Sequence, residues 1–252
     1  ILYRGNYQSR VLEQALRSYK IPYTISGGKS FFDKAEIKDI MAYLRLTINE
    51  DDDSAFIRAI TTPKRGIGET TLDKLSTYAA RREISLFEAL FEEGFAAVCN
   101  PVQLENVLDF GRFINDIQAR QKYEPAGELL TEILSAIKYE EYLYDSEELK
   151  AAEKRYGNVL SFIEWMSKKG ENDNKTLPEL TQTVALITLL DGQNEEEIDS
   201  VKLSTLHAAK GLEYPYVFMI SCEEGILPHQ ESVAQGTIEE ERRLMYVGIT
   251  RA

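Results

Sequence analysis

Thr205-Leu206-His207-Ala208-Ala209-Lys210-Gly211-Leu212-Glu213 lies between two apolar runs, Val201 to Leu206 and Val217 to Ile220. Short apolar runs bounded by turn residues predict buried strands. The polar His-x-x-Lys-Gly-x-Glu between them predicts a loop that carries chemistry on a rigid frame. Downstream, Thr237-x-x-Glu240 has capping-box spacing and predicts a helix running into Tyr246-Val247-Gly248-Ile249-Thr250-Arg251-Ala252. The beginning of the chain has the same alternation. Ile1 to Tyr3 predicts a strand, and a helix follows with Val11, Leu12, Ala15, Leu16 and Tyr19 on one face until Pro22 breaks it. Ser26-Gly27-Gly28 predicts a turn. A second helix starts near Asp33, with Glu36 in capping-box spacing and Ile37, Ile40, Met41 and Leu44 as its apolar face.

Between these arms, residues 48–196 have helical periodicity throughout and no strand pattern. The acidic run Glu50-Asp51-Asp52-Asp53 marks the exit from the first arm, and Ser85-x-x-Glu88 is another capping box. Pro125 fits the first turn of a helix bearing Leu129, Leu130, Ile133, Leu134 and Ile137. Tyr156, Val159, Leu160, Ile163 and Met166 share one side of the next. Gly170 to Lys175 predicts a polar loop, and a last helix runs from about Leu180 to Leu190. The expected fold is therefore α/β and mostly helical. One parallel sheet domain, 1–47 with 197–252, is split by an inserted all-α domain at 48–196.

Charge follows the same division. The formal net charge is -13, yet residues 1–47 carry eight Lys/Arg against four Asp/Glu, and 197–252 carry five against nine. The two arms cancel, so the whole excess belongs to the middle, as expected of an insertion. No apolar stretch is long enough to span a membrane, and no signal peptide is visible. Cys99 and Cys222 have no His or Cys at ligand spacing, which predicts two thiols in a reducing, cytoplasmic setting and no zinc site. There is no initiator Met, and the chain reads as a piece of a longer protein.

Several residues are candidates for chemistry. Glu213 reads either as a solvated loop acid or as a carboxylate that accepts both hydrogens of a ribose diol. His207 and His229 are the only histidines, and no carboxylate or Cys completes a ligand set with them. Lys210 is placed to neutralise a phosphate or to couple two sites. Arg4 and Asn6 follow the first strand, where a guanidinium can fork onto a phosphate and an amide can reach a base or sugar. Arg251 is either a cation at a helix C-terminus or a group that opposes charge on a transferring phosphoryl. Gly66-Ile67-Gly68 follows Lys64 and Arg65, in an island that also holds Lys74, Arg81 and Arg82 against Glu69 and Asp73. It is an interhelical turn or a phosphate cradle at a helix N-terminus. Gly28-Lys29-Ser30 is not a P-loop, because the position that needs the earlier Gly is Tyr23.

Five patterns occur in one order: Tyr3-Arg4-Gly5-Asn6-Tyr7-Gln8-Ser9-Arg10; Ser26-Gly27-Gly28 with Phe31-Phe32 and Glu36-Ile37-Lys38-Asp39; Thr62-Pro63-Lys64-Arg65-Gly66-Ile67-Gly68; Thr205 to Glu213; and Glu239-Glu240-Glu241-Arg242-Arg243 to Arg251. Together they resemble superfamily 1 DNA helicases of the UvrD/Rep/PcrA type. Asp51-Asp52-Asp53-Ser54-Ala55-Phe56 and Leu227-Pro228-His229-Gln230 are spelled most like the Rep branch.

The resemblance implies the second RecA-like motor domain with its inserted helical domain, from a 3′-to-5′ motor that uses ATP and magnesium. It assigns Arg4, Asn6, His207 and His229 to single-stranded DNA, Glu213, Lys210 and Arg251 to nucleotide, and Arg251 to catalysis as an arginine finger. Lys64, Arg65, Gly66 and Gly68 go to duplex DNA. The P-loop and magnesium ligands belong to an upstream RecA-like domain, the chain's expected partner along with duplex junctions and replication-restart proteins. Two alternatives remain: a non-catalytic DNA-binding or docking module, and the motor part of a RecB/AddA-type helicase-nuclease.

Overall fold

The computed structural model describes residues 1–26, 30–192 and 199–252. They divide into two compact units, 1–34 with 187–252, and 35–186.

The first unit is built on a three-stranded parallel sheet, β1 (Leu2–Tyr3), β2 (Tyr23–Ser26) and β3 (Val201–Thr205), in the order β1-β3-β2. β3 is central, paired through Tyr3↔Thr205 on one side and Ser26↔Ser204 on the other. Leu203, Ser204 and Thr205 are buried, and strands in such a position read as near-continuous apolar runs. β2 was not expected. Its signal was the β-branched and aromatic Tyr23-Thr24-Ile25 just after Pro22. The turn expected at Ser26-Gly27-Gly28, and the Gly28-Lys29 of the rejected P-loop, lie outside the described residues.

The strand expected at Val217 to Ile220 is instead a single bridge. Leu2 donates to Phe218 O at 2.8 Å, and Ile220 donates to Leu2 O at 3.1 Å. β1 has two residues, so it can register only that much of a neighbour.

α1 (Ser9–Ser18) forms where expected but fully buries a neighbouring face, Ser9, Glu13 and Arg17, while Leu12 and Leu16 of the expected one are half-buried. Glu13 and Arg17 are interior, while Val11 and Tyr19 are exposed. The Glu13 carboxylate accepts from Ser9 Oγ at 2.9 Å, Ser30 Oγ at 2.7 Å and Phe31 N at 2.9 Å. Arg17 lies 3.8 Å over the Phe32 ring and donates from Nε to Tyr23 OH at 2.5 Å. This polar network binds the helix to β2 and to the turn Phe31–Asp33.

Among the described residues the second unit has helices as its only regular elements, from α2 (Ala35–Leu46) and α3 (Asp53–Thr61) through α4 (Glu69–Arg82), α5 (Leu86–Ala89), α6 (Glu93–Ala96), α7 (Pro101–Arg120), α8 (Ala126–Ala136), α9 (Tyr139–Ser146) and α10 (Leu149–Asp173) into α11 (Leu177–Gly192), which runs past its boundary. Edge-on rings of Tyr43, Phe56, Phe87 and Phe110 fill its centre. α2 belongs here, so the division falls before Ala35 rather than at residue 47. Its buried carboxylates explain why. Asp39 accepts from Arg58 and from Tyr139 OH at 2.6 Å, and Glu36 accepts from Arg155 and from Asn158 at 2.7 Å. Glu36 thus takes part in tertiary bonds across the unit. Ser85 does cap α5, accepting from Glu88 N at 3.2 Å.

The loop expected at Gly170 to Lys175 is mostly helix. α10 continues to Asp173 and stops at Asn174 in the left-handed region, φ 50°. Gly170 lets α11 approach, since a Cβ there would lie 3.0 Å from Leu180 Cδ1. Leu160, expected on the inner face, is exposed.

Candidate DNA and nucleotide site

Parallel sheets place functional groups beyond the carboxyl ends of their strands. Arg4 and Asn6 leave β1 there, and His207 leaves β3 there, with Leu206 N donating to Tyr3 O at 2.9 Å to keep the two exits together. The 205–213 loop coils tightly. Ala208 N donates to Thr205 Oγ1 at 3.1 Å and Ala209 N to Thr205 O at 2.9 Å. Leu206 and Ala209 are its roots, packed with Leu2 and Leu227 in one apolar cluster. His207, Lys210 and Glu213 stay exposed, and Gly211 makes the turn at φ +86°.

The bridge segment leads through 221–229 to α12 (Gln230–Ala234) and α13 (Ile238–Ile249). The Thr237 capping box does not form. The Thr237 hydroxyl donates to Ser232 O at 3.3 Å, which turns it away from the helix amides. α13 instead presses on the sheet at Gly248, where a Cβ would lie 2.7 Å from both Leu206 Cδ2 and the Met219 sulfur.

This approach delivers Arg251 to the loop. Tyr214 N donates to Arg251 O at 2.9 Å, and Arg251 Nη1 donates to Leu212 O at 2.9 Å, so the arginine is bonded to both residues that flank Glu213. Its Nε donates to Val247 O at 2.9 Å, which is also the behaviour of a cation closing a helix C-terminus.

Arg4 is held by protein. Its Nε and Nη2 fork onto Glu241 at 3.0 and 2.8 Å. Glu241 is 2% exposed, and it also accepts from His229 N at 3.1 Å and Ser232 Oγ at 2.9 Å. The Arg4 guanidinium, with these other donors, holds the carboxyl well below its usual range, at about 2. Arg4 and His229 thus meet on one carboxylate. His229 also caps α12, its Nδ1 accepting from Glu231 N at 3.4 Å. Asn6 is exposed at the turn after β1. Glu241 was missed as a hub, although 241, 244, 245 and 248 are the inward stripe of α13 at helical spacing.

The Lys64–Gly68 loop belongs to the second unit. Lys64 is exposed, but Arg65 is turned inward: Nη1 donates to Ala59 O and Pro63 O at 2.8 Å each, Nη2 to Tyr43 OH, and the guanidinium stacks on Tyr43 and Phe110. The side chain that spacing offered to a phosphate is the anchor of its own loop. Asn106 fixes the loop from outside by donating to Arg65 O at 3.0 Å. Gly66 has φ +69°, and Gly68 is the exposed N-cap of α4. Lys74 and Arg82 of the basic island are partly engaged with Val98 O and Glu92.

The model of the UvrD-like helicase C-terminal domain matches residues 1–252. The chain belongs to that family. Among curated relatives it is 49% identical to the ATP-dependent DNA helicase Rep of Salmonella typhimurium and 48% identical to that of Escherichia coli, over all of this chain and 38% of each relative. It is 44% identical to the ATP-dependent DNA helicase PcrA of Bacillus subtilis, over all of this chain and 35% of that protein. The chain thus spans well under half the length of these helicases. No helix among the described residues is long and apolar enough to cross a membrane, and none of them form a group of three or more His, Cys, Asp or Glu that could hold a metal ion.

Proposed function

We propose that this chain supplies the second RecA-like domain and the inserted helical domain of an ATP-dependent DNA helicase that moves 3′-to-5′ along single-stranded DNA. The observation that carries the reading is the junction of Arg251 with Leu212 and Tyr214, which brackets Glu213 between the bonds of the arginine. Glu213 takes the ribose hydroxyls of ATP, Lys210 a phosphate, and Arg251 the charge that grows on the γ-phosphate. Asn6, His207, His229 and the open side of Arg4 contact the strand. Lys64 and the amides of Gly66 to Gly68 at the N-terminus of α4 contact duplex. Arg65 supports that loop from within.

Magnesium would accompany ATP, and no ligand for it is assigned to this chain. The other half of the nucleotide site belongs to an upstream RecA-like domain, and closure of the cleft between the two domains moves the strand. Cytoplasmic work at duplex junctions, alongside replication-restart proteins, fits this reading.

The test is directional unwinding by a protein of the relatives' full length that contains this chain. Duplex with a 3′ single-stranded tail should be opened in the presence of ATP, and duplex with a 5′ tail should not. Equal opening of both, or opening without ATP, would reject the proposal.

A further inference from the structure

We infer that Glu241 is a positioning residue for single-strand binding, one that fixes the Arg4 guanidinium and the His229 backbone together. The inference rests on the strand-contact reading of Arg4. A free arginine side chain samples many rotamers, and ordering it costs a substantial part of any contact it makes. Here the Nε–Nη2 edge is locked onto a carboxylate in a two-bond fork, which leaves a single orientation. The partner is interior, 2% exposed, while the arginine side chain keeps 22% of its surface open. Among the described residues nothing accepts from Arg4 Nη1. A phosphate oxygen can therefore be met by the free edge of a guanidinium whose other edge is already fixed.

The same carboxylate holds His229 N and Ser232 Oγ. Two candidate strand contacts, one leaving β1 and one capping α12, are thereby referred to one side chain. That side chain stands on α13, the helix that leads to Arg251. Eight residues of helical rise, about 12 Å, separate Glu241 from the end of α13 at Ile249, two residues before Arg251. Glu241 does not touch DNA in this arrangement; it acts through Arg4 and His229.

The experiment is a double-mutant cycle on the 252-residue chain, with binding of a fluorescein-labelled oligo-dT followed by anisotropy. Arg4→Ala should weaken binding about tenfold, the loss of one charge-assisted contact. Glu241→Gln keeps the size of the side chain but not the charge, and should weaken binding several-fold in the native background while having no further effect on Arg4→Ala. Arg4→Lys, which keeps the charge but cannot make the fork, should match Glu241→Gln. Multiplying losses would mean that Glu241 acts by general stability, and an unaffected Glu241→Gln would mean that it does not position Arg4; either result overturns this inference alone. If Arg4→Ala binds as tightly as the native chain, the strand-contact reading of Arg4 falls, and this inference with it.

Discussion

Arg251 is the residue on which the nucleotide reading depends most. Its backbone and side chain both bond to the segment around Glu213, so it is already delivered to the loop before any phosphate arrives. In a protein of the relatives' full length, Arg251→Ala should leave ATP affinity within a few-fold while lowering turnover about a thousandfold or more. The charge it opposes is largest in the transition state, so ground-state binding gains less. Steady-state kinetics with saturating DNA check this, and an effect confined to KM would remove the catalytic assignment.

A second test belongs to Glu241. Its carboxyl is held at about 2 in the folded chain, below the ordinary 4.5. A depressed folded value means stability that is present in full above the unfolded value and lost as pH falls toward the folded one. The unfolding free energy should therefore fall as pH drops from about 5 to 2, by on the order of 3 kcal/mol from this group. Glu241→Gln should be less stable at pH 7 and lose part of that acid dependence.

These residues were unequally legible. Arg251, Glu213 and His229 stood in quotable motifs. Glu241 and Glu13 did not stand out, because a buried carboxylate looks in sequence like any solvated one until its donors, 237 and 17 residues away along the chain, are brought to it.

Among the elements, helices were the most legible, since periods of apolar residues in 35–186 needed only other helices to pack on. α1 shows the limit of that argument. Its apolar stripe was read correctly, but the stripe at Val11 and Tyr19 is exposed and the interior face is the one bearing Glu13 and Arg17. Periodicity finds a face; it does not say which surface covers it. The strands were uneven: β1 and β3 lie within their apolar runs, whereas β2 has four half-buried residues, too few to show alternation.

The Lys64–Gly68 loop gives the element-scale prediction, and its two cations should separate. Lys64→Ala should keep the fold and weaken binding to duplex-single-strand junctions, with the slope of log affinity against log salt reduced by about one unit. Arg65→Ala should lower the stability of the helical unit by about 2–3 kcal/mol, because buried carbonyls of α3 lose a charged donor. Thermal melts and junction binding at several salt concentrations tell these apart. Equal melting points for the two variants would show that Arg65 does not anchor the loop.

On the scale of the whole molecule, the informative facts are what the described residues hold and what they leave to others. They hold Glu213 and Lys210, exposed on the loop that follows β3, and Arg251, bonded to the residues on either side of Glu213. Phosphoryl transfer needs more than these. The β- and γ-phosphates must be cradled by backbone amides and a lysine, and charge must be neutralised across both bridging oxygens. The single Gly-Lys-Ser of the sequence lacks the earlier glycine of a phosphate loop. The purified 252-residue chain should consequently show no ATP turnover with or without DNA, and nucleotide affinity far below that of a two-domain site. On the proposed reading its affinity for oligo-dT should be weak, since half of the groove would be supplied by the other motor domain. Adding that domain as a separate polypeptide should raise both affinities together, because each ligand would then be bound between two surfaces rather than on one. Phosphate release measured with the chain alone checks the first point. Sustained DNA-stimulated hydrolysis that follows the chain through purification, and disappears with Arg251→Ala, would show that the site is complete within these residues and would overturn the division of labour proposed here.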